Sequence, residues 1–457
     1  MIHTFTVNDY HIALDVYSGA VHVADRVSLE AIRLYEAGSR EDTVLQMLAQ
    51  FPEEGLDESA LHGLLDQLDA LKRSGKLYSS DVYLKDALPQ KDSTVIKALC
   101  LHVAHACNLA CSYCFAGQGQ YQGQAALMSV ETGKQALDFL VAHSGTRRHL
   151  EVDFFGGEPL LNWDMVKAVV AYGRELEQRH NKTFRFTLTT NGVLVDEDVI
   201  DFCNREMQNV VLSLDGRPAV HDRFRVDHQG RGSYDTVVPK FQEFVQKRGD
   251  KGYYIRGTFT KNNLDFLKDI QHMADLGFTQ LSMEPVVTAP DDPEALGEED
   301  LFVLYEQYEQ LALEMLKRKR EGRGFDFYHY TIDLEHGPCI HKRLSGCGSG
   351  TEYLAVTPEG DLYPCHQFVG DEAFKIGTLA TGITNTGLQE EFACNTLLSR
   401  PECRECWAQL YCAGGCAANA YHASGSISGL YKTSCELFKK RIECALMLQA
   451  ALQEEAG

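Results

Sequence analysis

HACNLACSYCF, residues 105–115, is the stretch that decides how this chain is interpreted. It contains a CxxxCxxC motif formed by Cys107, Cys111 and Cys114. Thiols at positions i, i+4 and i+7 can converge on one metal centre. A [4Fe–4S] cluster has four irons, so three thiolates leave one iron open to chelate an amino acid or another ligand. The alternative is a zinc site completed by His102 or His105, but structural zinc sites favour CxxC pairs, so the spacing favours the cluster.

Polar and glycine residues follow later predicted strands, at the positions where a ligand of that centre would lie. They are Gly156, Gly157 and Glu158, then Thr190 and Asn191, then Ser213 and Asp215, and finally Arg225. Paired glycines let backbone approach a ligand closely, and an arginine can pair with a carboxylate through two hydrogen bonds. Ser213 and Asp215 are two residues apart and would share one face of a strand. Each motif alone is as typical of a turn or a helix cap as of a binding site. Together they favour a ligand that combines a nucleoside with an amino acid.

Between residues 95 and 290 the chain alternates strand and helix patterns in about six units. Such alternation predicts an α/β fold with a parallel sheet and right-handed crossovers, either open or closed into a partial (β/α)6 barrel. Functional residues are then expected at the carboxyl ends of the strands, which is where the motifs fall. Residues 291–338 are predicted to be a bridging segment with a solvated helix in 297–324.

The C-terminal region, residues 339–445, is rich in cysteine and loops. Eight of the chain's 15 cysteines belong to this array: Cys339, Cys347, Cys365, Cys403, Cys406, Cys412, Cys416 and Cys435. A single zinc ion takes four ligands, so this number of thiols fits two further clusters better. The remaining four, Cys100, Cys203, Cys394 and Cys444, are interpreted as structural or incidental.

Residues 1–85 are predicted to form a separate unit, followed by a linker over 86–94. FTVNDYHIALDVYSGAVHVAD, residues 5–25, alternates apolar and polar residues around a Ser18-Gly19 turn signal, as short strands of a hairpin do. Three helical patterns follow, the first from Ser28 and the last from Asp57, and GKLYSSD (75–81) is predicted to be a closing strand. This order is that of a winged helix-turn-helix. Such folds usually bind DNA, but this unit is acidic. We therefore expect it to bind an extended peptide instead.

The overall composition limits the classes of function. The formal net charge of −22 argues against a nucleic-acid partner and is typical of a soluble surface. The N-terminus lacks the pattern of a signal peptide, and no stretch approaches the roughly 18 apolar residues of a membrane helix. We therefore expect a cytoplasmic protein without a membrane partner, where clustered cysteines indicate metal or redox chemistry rather than disulfides.

Taken together, the CxxxCxxC, GGEP and SLDG motifs and the cysteine array resemble the radical S-adenosylmethionine (SAM) superfamily with a C-terminal SPASM domain, over about residues 95–445. The N-terminal unit looks like a RiPP recognition element, which binds leader peptides. This start, the segment GPCIHKRLSGCGSG and the overall order are most similar to maturases of six-cysteine (SCIFF, or ranthipeptide) precursors. Those enzymes form thioether bonds between a cysteine sulfur and a carbon of an acceptor residue.

The resemblance implies three [4Fe–4S] clusters and SAM as cofactors. Cys107, Cys111 and Cys114 would hold the first cluster, whose open iron binds the amino and carboxylate groups of SAM. Gly156, Gly157 and Glu158 would contact the SAM amino group, Arg225 its carboxylate, and Ser213 and Asp215 its ribose, with Thr190 and Asn191 at the same site. One auxiliary cluster would use Cys347, Cys365 and Cys416, with Cys339 as a doubtful fourth ligand. The other would use Cys403, Cys406, Cys412 and Cys435.

The activity implied is hydrogen abstraction from a cysteine-rich precursor peptide by a 5′-deoxyadenosyl radical, followed by thioether formation. The precursor would bind through its leader, and a reduced flavodoxin- or ferredoxin-type protein would supply the electron. No general acid or base is nominated from the sequence. The rival activities on the same scaffold are epimerisation, carbon–carbon crosslinking and sulfatase-type oxidation of Cys or Ser. The rival class is a non-catalytic regulator that binds zinc or redox-sensing clusters.

Overall fold

The computed structural model describes residues 1–81, 95–121, 123, 125–289, 291–334 and 340–456. The predicted linker 86–94 and Cys339 lie outside the described residues. Among the described helices, none is long and apolar enough to cross a membrane.

The N-terminal unit is a three-stranded antiparallel sheet followed by three helices. The elements are β1 (Ile2–Val7), β2 (Tyr10–Asp15), β3 (Val21–Ala24), α1 (Arg26–Ala37), α2 (Arg40–Gln50) and α3 (Glu58–Arg73). The predicted Ser18-Gly19 turn lies between β2 and β3, and Gly19 has a φ of +74°. A second turn at Asn8-Asp9, where both residues have positive φ, was not predicted. The carboxylates of Asp25 and Asp57 cap α1 and α3, so α1 begins before the predicted Ser28.

The prediction of a closing strand over 75–81 is wrong. Tyr78 has a φ of +53°, which interrupts an extended backbone. Its hydroxyl donates to the carbonyl oxygen of Ile32 at 2.7 Å, and the N–H of Ser79 donates to Asp15 Oδ2 at 2.8 Å. The segment therefore closes the unit through side-chain hydrogen bonds, and within residues 1–81 no wing strand follows α3.

The N-terminal sheet packs against the rest of the chain. Phe5, Ile12 and Leu14 belong to the same buried apolar cluster as the central sheet, whereas α1–α3 share a cluster of their own. The His3 ring stacks on Trp407 with centroids 3.7 Å apart, and its Nε2 lies 2.9 Å from Glu443 Oε1.

The predicted α/β class with a parallel central sheet is confirmed. Its strands are β4 (Ala98–His105), β5 (Ala126–Leu127), β6 (His149–Gly156), β7 (Thr183–Thr190), β8 (Met207–Ser213), β9 (Tyr254–Phe259), β10 (Gln280–Pro285) and β11 (Asp326–Phe327). Its helices are α4 (Val130–His143), α5 (Trp163–His180), α6 (Glu197–Glu206), α7 (Pro218–Phe224), α8 (Tyr234–Arg248), α9 (Phe266–Asp275) and α10 (Leu301–Arg320). Six long strands pair in parallel in the order β10-β9-β8-β7-β6-β4, with β11 beside β10. Their carboxyl ends therefore meet at one edge.

The helix over 301–320 is not the solvated bridge that its charge pattern predicts. Its apolar stripe is buried in the main core: Leu304, Tyr308, Leu311, Ala312 and Leu316. This helix follows β10 and packs on the C-terminal helix, α16 (Lys432–Ala456). It therefore completes the sixth βα unit, and only its opposite face, with Phe302 80% exposed, is solvated.

The C-terminal region adds four short strands and six helices among the described residues. They are α11 (Ile340–Ser345), β12 (Tyr353–Val356), β13 (Asp361–Tyr363), β14 (Gly377–Thr378), β15 (Gly382–Ile383), α12 (Thr386–Cys394), α13 (Pro401–Arg404), α14 (Gln409–Cys412), α15 (Ala417–Ser424) and α16 (Lys432–Ala456). β12 pairs in parallel with β4, so this region extends the central sheet at the strand that leads into the CxxxCxxC motif. The loops that carry the C-terminal cysteines are thereby placed beside the same edge.

Candidate active site

The cysteine loop, residues 106–119, leaves the buried strand β4 at its carboxyl end. The N–H of Ala110 donates to the carbonyl oxygen of Val226 at 2.7 Å, and the N–H of Ser112 donates to that of Phe224 at 3.2 Å. These bonds attach the loop to the segment after α7. The loop is thus held over the strand ends by a part of the chain more than 100 residues away.

Cys107, Cys111 and Cys114 line one end of a cavity of about 460 Å³. Burial raises the pKa of the Cys107 thiol to about 12 and that of Cys111 to about 11, and the neighbouring thiols add to both effects. A thiol must lose its proton to ligate a metal, so ligation at this site would be coupled to proton release. The three predicted ligands are therefore brought together in one buried place.

The histidines of the zinc alternative pair with each other. His102 Nδ1 lies 3.2 Å from His105 Nε2, and both rings pack on Tyr121. His102 is fully buried, and burial lowers its pKa well below the ordinary value. Among the described residues, no three His, Cys, Asp or Glu side chains are grouped as a site for a single metal ion.

Gly156 and Gly157 let the end of β6 lie against the start of the cysteine loop. A Cβ atom at Gly157 would lie 2.1 Å from the carbonyl oxygen of Ala106, and one at Gly156 would lie 2.4 Å from that of Ala104. The N–H of Gly157 donates to Ala104 O at 2.8 Å. The glycine pair is therefore required by a close backbone approach beside the three thiols.

Glu158 is fully buried and lines the same cavity. Its carboxylate accepts hydrogen bonds from the hydroxyl of Thr190 at 2.7 Å, the N–H of Asn191 at 2.8 Å and the N–H of Leu160 at 3.0 Å. Burial raises the pKa of Glu158 to about 7, against the effect of these bonds. A cationic group in the cavity would favour the ionised carboxylate.

Thr190, Asn191 and Ser213 also line the cavity, as predicted from their positions at the ends of β7 and β8. The amide nitrogen of Asn191 donates to Asn108 Oδ1 at 2.7 Å and lies 3.7 Å from Cys107 Sγ. The end of β7 is therefore tied directly to the cysteine loop.

Asp215 does not reach the cavity, and the expectation that it shares a ligand-facing surface with Ser213 is corrected. It is fully buried, and it accepts hydrogen bonds from the Tyr113 hydroxyl at 2.6 Å, the Arg225 Nε at 2.9 Å and the Thr258 N–H at 3.0 Å. The strand ends at Ser213, so the two side chains no longer follow strand alternation.

Arg225 lines the cavity, and its Nε forms an ion pair with Asp215 Oδ2 at 2.9 Å. Its guanidinium lies 5.6 Å from the Tyr113 ring centroid. Burial opposes its charge, but the Asp215 carboxylate raises the pKa of Arg225 well above its ordinary value. The Nη atoms have no hydrogen-bond partner among the described residues, so they are available to an anionic ligand.

About half of the cavity lining escaped the sequence analysis. It comes from β9, β10 and the C-terminal region and includes Arg256, Thr258, Glu284, His366, Gln367, Asn419 and Arg441. Only the alternation of strands could have pointed to Arg256, in the middle of β9, and to Glu284, near the carboxyl end of β10. No local pattern marks Asn419 or Arg441 as cavity residues.

Electrostatic coupling links the C-terminal cysteines in two sets. Cys365 is buried, and burial, Cys416 and Cys347 all raise the pKa of its thiol. Burial likewise raises the pKa of Cys412 to about 12, with added contributions from Cys435, Cys403 and Cys406. Cys412 and Cys416 join different groups although four residues separate them, because Ala413, Gly414 and Gly415 all have positive φ and turn the chain between them.

Comparison with known proteins identifies the class of the central domain. Residues 101–283 match the model of the radical SAM superfamily. The cysteine-type anaerobic sulfatase-maturating enzyme of Clostridium novyi is 25% identical over 364 residues, which cover 74% of this chain and 91% of that enzyme. Residues 101–283 are therefore similar to the radical SAM superfamily, and the relatives include a sulfatase-maturating enzyme and mycofactocin maturases.

Two solved structures share the fold. The structure of native anSMEcpe with bound AdoMet covers 78% of this chain and 99% of its own, with a TM-score of 0.64 and 22% identity. Streptococcus suis SuiB bound to precursor peptide SuiA covers 94% of this chain and 97% of its own, with a TM-score of 0.52 and 14% identity. The second likeness spans the N-terminal unit as well as the radical SAM domain.

Proposed function

We propose that this chain is a peptide maturase that installs thioether crosslinks, from cysteine sulfur to carbon, in a cysteine-rich precursor peptide bound through its leader. The observation that carries the proposal is the shared cavity. Cys107, Cys111 and Cys114 all line it, and so does Cys416 of the C-terminal array. A substrate in this cavity would be in reach of both cysteine groups.

The residues at the cysteine end of the cavity fit the cofactor of a radical SAM domain. Three half-buried thiols would supply the cluster ligands, and Arg225 presents free donors to the carboxylate of SAM. Glu158 offers a buried carboxylate to its amino group, while Thr190 and Asn191 orient Glu158 and the cysteine loop. When bound, the cluster and SAM supply a 5′-deoxyadenosyl radical that removes a hydrogen atom from a substrate carbon.

In this proposal Asp215 positions Arg225 and does not touch SAM. An Asp215→Asn variant is expected to bind SAM about 10-fold more weakly, because Arg225 loses its ionic anchor in a buried site. Equilibrium dialysis with labelled SAM measures this affinity. Asp265→Asn is the matched control, since Asp265 pairs with Arg217 outside the cavity lining. Equal SAM affinity of the Asp215 variant and the wild-type chain would contradict the proposed role of Asp215 in positioning Arg225.

The two C-terminal groups are proposed to hold auxiliary [4Fe–4S] clusters. The group of Cys403, Cys406, Cys412 and Cys435 supplies four thiols. The group of Cys347, Cys365 and Cys416 supplies three, with Cys339 as the candidate fourth ligand. If Cys339 does not ligate, this cluster has an open iron for a substrate thiolate. Cys416 is exposed and faces the cavity, which supports a role for this group next to the substrate.

The N-terminal unit is proposed to bind the leader. β3 is one of the two outer strands of its sheet, so its free edge has no neighbour among the described strands. Val23 is 46% exposed there, and His22 hydrogen-bonds the carbonyl oxygen of Lys76 directly after α3 at 2.8 Å. A peptide added to this edge would lie beside α3. The likeness to SuiB, a protein crystallised with its precursor peptide, supports this assignment.

Co-expression with the short cysteine-rich open reading frame expected beside the gene tests the reaction. Mass spectrometry should show the loss of two hydrogens for each crosslink, and one fewer cysteine should react with iodoacetamide per bond. Replacing a crosslinked cysteine by serine in the precursor should prevent that loss. A peptide recovered unmodified, under conditions in which SAM is cleaved, would contradict the proposal.

The same measurement separates the rival reactions. Carbon–carbon crosslinking loses two hydrogens but leaves every thiol reactive, and epimerisation leaves the mass unchanged. Sulfatase-type oxidation of a cysteine to an aldehyde removes its sulfur atom. This last reaction is the second candidate because the Clostridium novyi relative is a cysteine-type sulfatase-maturating enzyme.

A further inference from the structure

Part of the cavity wall is formed by polar side chains that the proposed SAM site does not use. We call this part the polar wall. It consists of Arg256 on β9, Glu284 on β10, Asn419 on α15 and Arg441 on α16. Residues from both the central sheet and the C-terminal region therefore build it.

The acidic member of the polar wall is held firmly in place. Glu284 lies 3.3 Å from His329 Nε2, and its Oε2 lies 3.6 Å from an Nη of Arg441. Arg441 is in turn 3.0 Å from His329 Nδ1, and its guanidinium lies over the Tyr308 ring. This network orients the Glu284 carboxylate toward the cavity.

Other groups of the polar wall have unused hydrogen-bonding capacity. The Arg256 side chain is 51% exposed, and its nearest charged partner, Glu284 Oε1, is 4.0 Å away. No described residue accepts a hydrogen bond from its guanidinium. Arg441 Nε and Asn419 Oδ1 are buried atoms without a hydrogen-bond partner among the described residues. Buried polar groups are costly when unpaired, so the two buried atoms, together with the free donors of the exposed Arg256, fit a ligand that supplies both an acceptor and a donor.

A neutral amide fits this arrangement better than an anion. Its carbonyl oxygen can accept from Arg256, and its N–H can donate to Asn419 Oδ1 or Glu284. A carboxylate on Arg256 would lie close to the Glu284 carboxylate and be repelled by it. It would also leave the acceptor on Asn419 without a partner. Paired donor and acceptor groups repeat along the main chain of any peptide.

We propose that the polar wall is a clamp for the main chain of the peptide substrate, with Arg256 binding a carbonyl oxygen and Asn419 an N–H near the residue that is modified. This inference rests on the proposed peptide substrate and adds where and how its backbone is held. The clamp does not contact the side chains of the peptide, so the specificity for the acceptor residue depends on the rest of the cavity.

The probe for this clamp is a leaderless peptide, acetyl-Gly-Ala-Cys-Ala-Gly-amide, bound to the full-length chain and followed by saturation-transfer NMR. Arg256→Leu should weaken its binding about 5- to 10-fold, the value of one ordinary hydrogen bond at a half-exposed site. Arg256→Gln keeps a donor without the charge and should retain affinity within about 3-fold of the wild-type chain. If Gln weakens binding as much as Leu, the subsite binds an anion and the clamp is wrong. Unfolding midpoints equal to that of the wild-type chain show that the variants are folded.

The Asn419 contact has a separate test, in which each amide of the probe is replaced in turn by an ester. An ester lacks the N–H donor, so one position should weaken binding to the wild-type chain about 5-fold. Asn419→Leu should weaken binding of the amide peptide by a similar factor. In this variant the same ester substitution should cause no further loss of affinity. Additive losses would exclude a contact between this N–H and Asn419. No measurable binding of the probe to the wild-type chain would also overturn the clamp.

These outcomes are distinct from those for the proposed function. If the wild-type chain crosslinks the precursor but the Arg256 and Asn419 variants bind the probe with unchanged affinity, the clamp is rejected and the proposed maturase function stands. Probe affinities that change as expected, with no thioether in the precursor, would keep the clamp and reject the reaction.

Discussion

A Cys107→Ala variant is expected to form no 5′-deoxyadenosine above background and to bind about four irons fewer than the roughly twelve of a chain with three clusters. Cys107 lies at the centre of the candidate site. Its Sγ accepts from the N–H of Leu109 at 3.4 Å and lies near the amide of Asn191. Two thiols cannot hold the cluster that binds SAM, so cleavage stops. Iron analysis and chromatography of the SAM products measure the two effects.

The matched control is Cys394→Ala. Cys394 is an exposed thiol in the C-terminal region that belongs to neither of the two cysteine groups. This variant should retain both the full iron content and the wild-type rate of SAM cleavage. SAM cleavage by Cys107→Ala at the wild-type rate would reject the assignment, and a chain loaded with zinc and inert toward SAM would reject the class of reaction.

Removal of residues 1–81 is expected to weaken binding of the precursor at least about 100-fold while uncoupled SAM cleavage continues. The reason is that strand addition at β3 would supply the affinity for the leader, whereas the cysteines proposed to bind the cluster all lie beyond residue 100. Fluorescence anisotropy of a labelled precursor measures the affinity. A precursor without its leader should bind the two chains equally.

This deletion also uncovers apolar surface, because Phe5, Ile12 and Leu14 pack in the main core. The full-length variant Val23→Asp avoids that effect and places a charge on the exposed edge of β3. It should weaken leader binding about 10-fold. Leu45→Asp, on an exposed apolar position of α2 in the same unit, should leave it unchanged. Equal affinities of both variants and the wild-type chain would refute leader binding at β3.

The order of elements was predictable because it rests on local patterns. Alternating strand and helix signals between residues 95 and 290 predicted the parallel sheet, and the motifs at strand ends predicted most of one side of the cavity. The errors arose where a tertiary contact outweighed the local pattern. The charged helix α10 buries an apolar stripe against α16, and Tyr78 adopts a positive φ in a segment of strand-like composition.

Asp215 shows the same limit within the site. Its spacing from Ser213 predicted a shared ligand-facing surface, but the strand ends between them and the carboxylate turns toward Tyr113 and Arg225. Its role in holding Arg225 became evident only when the three side chains were placed together.

The sequence by itself determined the three thiols of the cysteine loop, because ligand spacing within eight residues is a local property of the chain. It also determined the presence of the C-terminal cysteine array and a distinct N-terminal unit. Only the tertiary structure decided what faces those thiols. Arg256, Glu284, Asn419 and Arg441 come from four elements spread over nearly 190 residues, and the pairing of β12 with β4 brings the C-terminal region to them. No local pattern encodes such a surface, since it exists only after distant strands and helices have packed.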